Sequence, residues 1–176
     1  MANQKLTDKA EMTQQAGSND LLMVVDVSDT TGSSAGTSKK TDFKYVIQTD
    51  KISVSNAEAQ ALDSTAKTLV GALSGYMITV YNVTILNTYA SATETSNNNL
   101  LLGYDSSSTT QYWHSYRRYM ASITTDASYS LGAVIGSAPT CSTTLLNKPF
   151  LMWASGAFNG GWSADVYVTY AYTKVL

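Results

Sequence analysis

The chain is poor in the residues that most often carry chemistry. Its 176 residues include one cysteine, one histidine and two prolines, and only 14% are charged. Cys141 has no second thiol to pair with, which excludes an internal disulfide and a multi-cysteine metal site. With His114 alone, no site of two histidines can form; a Ser-His-Asp triad would have to use it, and no GxSxG nucleophile turn is present. The 11 basic and 13 acidic residues give a net charge of -2, so nothing attracts nucleic acid or an anionic membrane. No apolar run reaches the length of a bilayer-spanning helix, so no membrane insertion is expected. The opening "MANQKLTDKAEMTQQAG" lacks the apolar core of a signal peptide, which predicts synthesis in the cytoplasm.

What the chain does contain is unevenly distributed. Seven of the 11 Lys and Arg and nine of the 13 acids precede Gly75, whereas 11 of the 12 Tyr and all three Trp follow it. The expected organisation is an amino-terminal element over 1–52, a short helix or stalk over 53–75, and a β-rich module over 76–176. "DLLMVVDVSD" (20–29) is apolar and rich in β-branched residues between polar turns, which predicts a strand; "TDFKYVIQ" (41–48) alternates and predicts a second strand or a short helical turn. Ser55 or Asn56 can cap a helix with Glu58 in its first turn, and Leu62, Ala66, Leu69 and Leu73 fall at a/d spacing. That stripe fits either packing on its own domain or self-association about a symmetry axis, since so short a helix needs a partner.

The third segment reads as mainly β. "YMITVYNVTILNTYA" alternates over an unusually long strand, with Met77, Thr79, Tyr81, Val83 and Ile85 expected on one side and Ile78, Val80, Asn82, Thr84 and Leu86 on the other. Further runs follow, separated by Ser, Thr, Asn, Gly and Pro clusters with no helical period between them, which predicts an antiparallel, jelly-roll-like β-sandwich.

Two stretches look functional. "TTGSSAGTSKK" (30–40) resembles a phosphate-binding loop in composition, but only three residues separate Gly32 from Gly36 where a Walker loop has four, and Thr37 and Ser38 precede Lys39, so the Walker spacing fails and no nucleotide or other cofactor is implied. "QYWHSYRRYM" (111–120) sets Trp113, His114, Tyr116, Arg117, Arg118 and Tyr119 together, and "NGGWS" places Trp162 at a turn. Aromatic rings beside guanidinium groups serve either packing and subunit contacts or the stacking of a glycan or receptor. The acids after Gly75, namely Glu94, Asp105, Asp126 and Asp165, are scattered singly; two meeting in space could form a glycosidase pair.

The first 50 residues resemble the amino-terminal element of bacteriophage fibre and other virion appendage proteins. The matching pieces are Lys5 to Thr7, the "DLLMVVD" of Asp20 to Asp26, the "GTSKK" of Gly36 to Lys40, and Thr41 to Ile47; Thr41 stands where that family has a β-branched apolar residue. The resemblance implies a non-enzymatic structural protein of the particle: a short head or tail fibre, a capsid appendage or an adaptor, of a crAss-like phage among the forms it fits. It implies attachment through Leu21, Leu22, Val24, Val25, Lys39, Lys40, Phe43 and Tyr45 to other virion proteins, and a homo-oligomer, a trimer in preference to a dimer. A host-surface glycan is a further expected partner. The rival classes are a carbohydrate- or receptor-binding module and a glycan depolymerase.

Overall fold

The computed structural model describes residues 21–32, 34, 36–42, 46–104, 112–133 and 145–174. The chain divides into two compact units, one up to Val46 and one from Ile47. The first contains β1 (Leu21–Asp26) and β2 (Thr37–Asp42), paired antiparallel from Leu21↔Asp42 to Asp26↔Thr37. The second strand therefore begins within the polar "TSKKTD" stretch, earlier than its alternation at 41–48 suggests. The register of its partner, not its own hydrophobicity, selects it.

The second unit is a β-sandwich of β3 (Gln48–Val54), β4 (Lys67–Val70), β5 (Tyr76–Tyr89), β6 (Leu100–Gly103), β7 (Tyr112–Tyr116), β8 (Ala127–Leu131), β9 (Phe150–Ala154) and β10 (Trp162–Lys174). Two antiparallel four-stranded sheets form, in the orders β3-β10-β5-β8 and β4-β9-β6-β7. The pairs β3/β10, β4/β9, β5/β8 and β6/β7 are nested in sequence, the first strand with the last and the innermost with each other. A long hairpin folded over on itself in this way is a jelly roll.

Both sheets contribute to one core. Val54, Ile78, Val83, Ile85, Val166 and Val168 from the first meet Leu100, Leu102, Phe150 and Met152 from the second. Burial alternates cleanly along β10 from Trp162 to Tyr170, as expected for a strand with one face in the core. In β5 the expected alternation breaks. The register against β10 steps from Thr169↔Asn82 to Tyr170↔Val80, leaving Tyr81 unpaired as a bulge. Ile78 and Val80 before the bulge and Val83 and Ile85 after it are all buried, so the inward face changes parity at Tyr81.

The stalk helix is not formed. Helix α1 spans only Asn56–Gln60, opened by a capping box in which the Ser55 hydroxyl accepts from the Glu58 amide and the Glu58 carboxylate accepts from the Ser55 amide. Asp63, Ser64 and Thr65 follow, residues whose short polar side chains compete for the backbone; the Ser64 hydroxyl donates to the Ala61 carbonyl at 3.1 Å. Of the four a/d candidates, Leu62 is buried in the turn after the helix and Leu69 is buried in β4, both in the sandwich core. Ala66 and Leu73 lie outside regular structure. The stripe is thus strand and turn packing within one chain. No helix among the described residues is long and apolar enough to cross a membrane.

Because β3 and β4 each fill a place in a sheet, a fragment starting at Ile47 should fold, whereas one starting at Tyr76 should not. The expected result is a cooperative thermal transition for 47–176 by circular dichroism and none for 76–176, which would expose one side of β10 and of β9.

Candidate functional site

In the amino-terminal hairpin, the loop that resembles a phosphate cradle is closed on itself. The Asp29 carboxylate accepts from the Thr31 amide at 3.1 Å and the Thr31 hydroxyl at 2.7 Å, and it pairs with Lys39 at 3.0 Å. The Thr37 hydroxyl donates to the Asp29 carbonyl at 2.8 Å and accepts from the Gly32 amide at 3.1 Å. The Thr31 hydroxyl first, and Lys39 next, lower the Asp29 pKa to about 2. The donors that would hold a phosphate are turned onto oxygens of the same loop, and a strand follows where a Walker loop opens a helix. Lys39 is thus a loop-closing residue. Leu21, Leu22, Val24, Val25 and Lys40 lie in the paired backbone of β1 and β2, while Lys5 to Thr7, Phe43 and Tyr45 lie outside the described residues.

The aromatic stretch is largely interior. β7 ends at Tyr116, and its register against β6 skips Trp113, whose side chain is buried edge-on to Phe150 at 5.7 Å. A tight turn follows, with Arg118 at φ 52° and Met120 at φ 58° in the left-handed region. This turn drives Tyr119 inward: its side chain is 0% exposed and its hydroxyl donates to the Asn87 side-chain oxygen at 2.8 Å. Tyr116, Tyr129, Phe158 and Trp162 surround its ring at centroid distances of 5.7, 5.1, 6.0 and 5.4 Å. Trp162 is not displayed at a loop; it opens β10 and is 1% exposed. Arg117 and Arg118 are exposed, and Arg118 donates through Nε to Asn97 at 2.9 Å. His114 is half-buried with Nδ1 at 2.7 Å from the Gly132 carbonyl, an acceptor, so that nitrogen carries the proton. Trp113, Tyr119 and Trp162 thus have no face to offer a sugar or base, which corrects their candidacy as ligand contacts.

Beside this cluster lies Glu94, 1% exposed. One carboxylate oxygen accepts from the amides of Asn159 at 3.0 Å and Gly160 at 2.9 Å, with the Trp162 indole N–H at 3.5 Å; the other accepts from the Ser96 amide at 2.8 Å. The Glu94 carbonyl also accepts from the Ser122 amide at 2.9 Å. One residue therefore joins the segment before β6, the turn after β7 and the turn that opens β10. The glycines at 160 and 161 are required by this closeness: a Cβ at Gly160 would stand 3.0 Å from the Glu94 Cβ, and one at Gly161 2.8 Å from the Ala92 amide nitrogen. Burial pushes the Glu94 carboxyl up, but the amides of Gly160, Ser96 and Asn159 outweigh it and hold it below its ordinary value. A general acid needs the opposite shift.

The other acids weighed as a catalytic pair are also committed to structure. Asp126 accepts from the Tyr89 amide at 2.9 Å, and Asp165 pairs with Lys51 at 2.8 Å and accepts from Ser53 at 2.7 Å; Asp105 lies outside the described residues. Among the described residues no group of three His, Cys, Asp or Glu is placed to hold a metal. The residue that sequence reasoning passed over is Glu94 in its joining role. Its signal is faint: an acid in a Ser/Thr/Asn stretch, matched by the Asn-Gly-Gly-Trp turn 65 residues later, whose free amides need an acceptor.

No protein-family model and no curated protein matches the chain. Among solved structures, a chain of the cyanophage Pam1 capsid asymmetric unit aligns over 98% of this chain and 99% of its own, with 13% sequence identity and a TM-score of 0.41. A similarity of that size does not establish a common fold.

Glu94→Gln should cost about 3 kcal/mol, because an amide nitrogen replaces an acceptor facing buried N–H donors. Since folding lowers the pKa of Glu94, its contribution is complete above the unfolded value near 4.5 and is lost as pH falls through the folded one. Urea unfolding between pH 7 and pH 3 should therefore show a loss of stability in the native chain that is reduced in Glu94→Gln.

Proposed function

We propose that the chain is a structural, non-enzymatic subunit of a bacteriophage particle, a short head or tail fibre or appendage that joins the particle through its amino-terminal element. It acts there as a homo-oligomer, a trimer in preference to a dimer, with the jelly roll facing its own copies, other fibre chains or the host surface. The observation that carries this reading is the pairing of a separate hairpin, built from the "DLLMVVD" and "GTSKK" pieces, with a jelly roll that forms its own core. An isolated two-stranded hairpin is marginal in water, so the first unit gains from a surface to dock on. The jelly roll is an architecture used by viral capsid and lectin domains, which supports the reading at the level of fold. The inward placement of the aromatic side chains and the structural engagement of Glu94, Asp126 and Asp165 favour it over a glycan-cleaving enzyme. Identical copies on one axis would bind by summed weak contacts.

Mass spectrometry of purified particles should find the native chain. A version lacking residues 1–46 should be folded yet missing from particles; its incorporation at native levels would overturn the attachment role.

A further inference from the structure

We propose that the outer face of the β3-β10-β5-β8 sheet is the surface through which copies of this chain associate. The inference names the partner surface for the self-association in the proposed function and rests on that reading. Four large hydrophobic side chains are exposed among the described residues; Val27 and Ile47 lie outside the strands, whereas Tyr81 at 50% and Leu86 at 43% both belong to β5 and to this face. The Tyr81 bulge is what keeps Tyr81 and Asn82 outside while Val80 and Val83 stay in the core.

The remainder of the face is prepared for desolvation. Its opposite charges, Lys51 and Asp165, neutralise one another at 2.8 Å. Its hydroxyl and amide groups are bonded sideways across the strands: Thr49 to Thr169 at 2.9 Å, Asn82 to Ser130 at 3.2 Å and Ser53 to Asp165 at 2.7 Å. A glycan site needs polar groups aimed outward, whereas a face whose polar groups satisfy one another loses little when another protein covers it. At ~3.3 Å by ~4.8 Å per residue the four strands span roughly 600 Å² of sheet before side-chain relief is added. That is close to the about 800 Å² per partner of a standard stable interface. Pairing through the β3 edge is the weaker alternative, because that strand carries Lys51 at its middle, a common device against edge pairing.

The test uses the full chain, with light scattering over a range of concentrations. Native protein should weigh a multiple of 18.9 kDa. Leu86→Glu, which adds an acid beside its register neighbour Asp165, should weaken association at least ~100-fold with an unchanged thermal midpoint. Thr84→Arg, one row away on the same face, provides a second variant should the first fail to fold, and the same weakening is expected. Variants that keep the native mass would overturn this face while leaving self-association standing. A native chain that remains at one protomer mass would overturn both, and leaves particle attachment to the deletion test above. Retention of such a monomer on an immobilised neutral oligosaccharide, lost in Leu86→Glu, would assign the face to a glycan instead.

Discussion

With a single cysteine the chain has no internal disulfide to hold the turns at one end of its sandwich together, and the carboxylate of Glu94 joins them instead. Amides from Ser96, Asn159 and Gly160 converge on its two oxygens, and its own carbonyl receives the amide of Ser122. Each of those donors lies in a non-repetitive segment where no neighbouring strand could satisfy it. Ionised, the group provides several charge-assisted hydrogen bonds at once, which is how so deeply buried a charge is tolerated. The two glycines at 160 and 161 and the left-handed residues Arg118, Met120 and Ser122 follow from this closure, because the turns must come near enough to share one side chain.

Tyr119 completes the same end from the inside. Its ring meets Tyr116, Tyr129, Phe158 and Trp162, and its hydroxyl reaches Asn87, whose amide nitrogen is 3.4 Å from the Ala127 carbonyl. Burial pushes the Tyr119 hydroxyl far above the usual phenol range, so it remains a neutral donor at every physiological pH. The opposite part of the core repeats the pattern with less polarity: Trp113 and Tyr104 pack edge-on to Phe150, and the Tyr104 hydroxyl donates to the Ile78 carbonyl at 2.8 Å. A chain with few charges and many tyrosines thus builds its interior from rings with one polar end each; the hydroxyls of Tyr104, Tyr119 and Tyr170 donate to the Ile78 carbonyl, the Asn87 amide oxygen and the Asp50 carboxylate.

The mainly β class, the strand at 21–26, the faces of β10 up to Tyr170 and the cap at Ser55 were legible in the sequence, because local alternation and local hydrogen bonding decide them. Features decided at long range were not. The bulge at Tyr81 depends on where β10 lies, and alternation alone therefore assigns half of β5 to the wrong face. Leu62, Ala66, Leu69 and Leu73 keep helical spacing by coincidence, since one end of that stretch is claimed by the core and the other by β9. The aromatic stretch at 111–120 left packing and ligand binding both open because composition does not tell an interface from a core; the turn at Arg118 turns Tyr119 inward. Glu94 was one of four scattered acids until the fold brought the Asn-Gly-Gly-Trp turn onto it.

The central claim is that the group most resembling a catalytic acid is a structural fastening, ionised at neutral pH. Carbon-detected nuclear magnetic resonance of the Glu94 carboxyl across acid pH tests it most directly. The account predicts a single titration below the ordinary glutamate value near 4.5, moving together with the amide signal of Gly160. A titration above that value, or one that leaves the Gly160 amide unmoved, would contradict the account and reopen Glu94 as a reactive group.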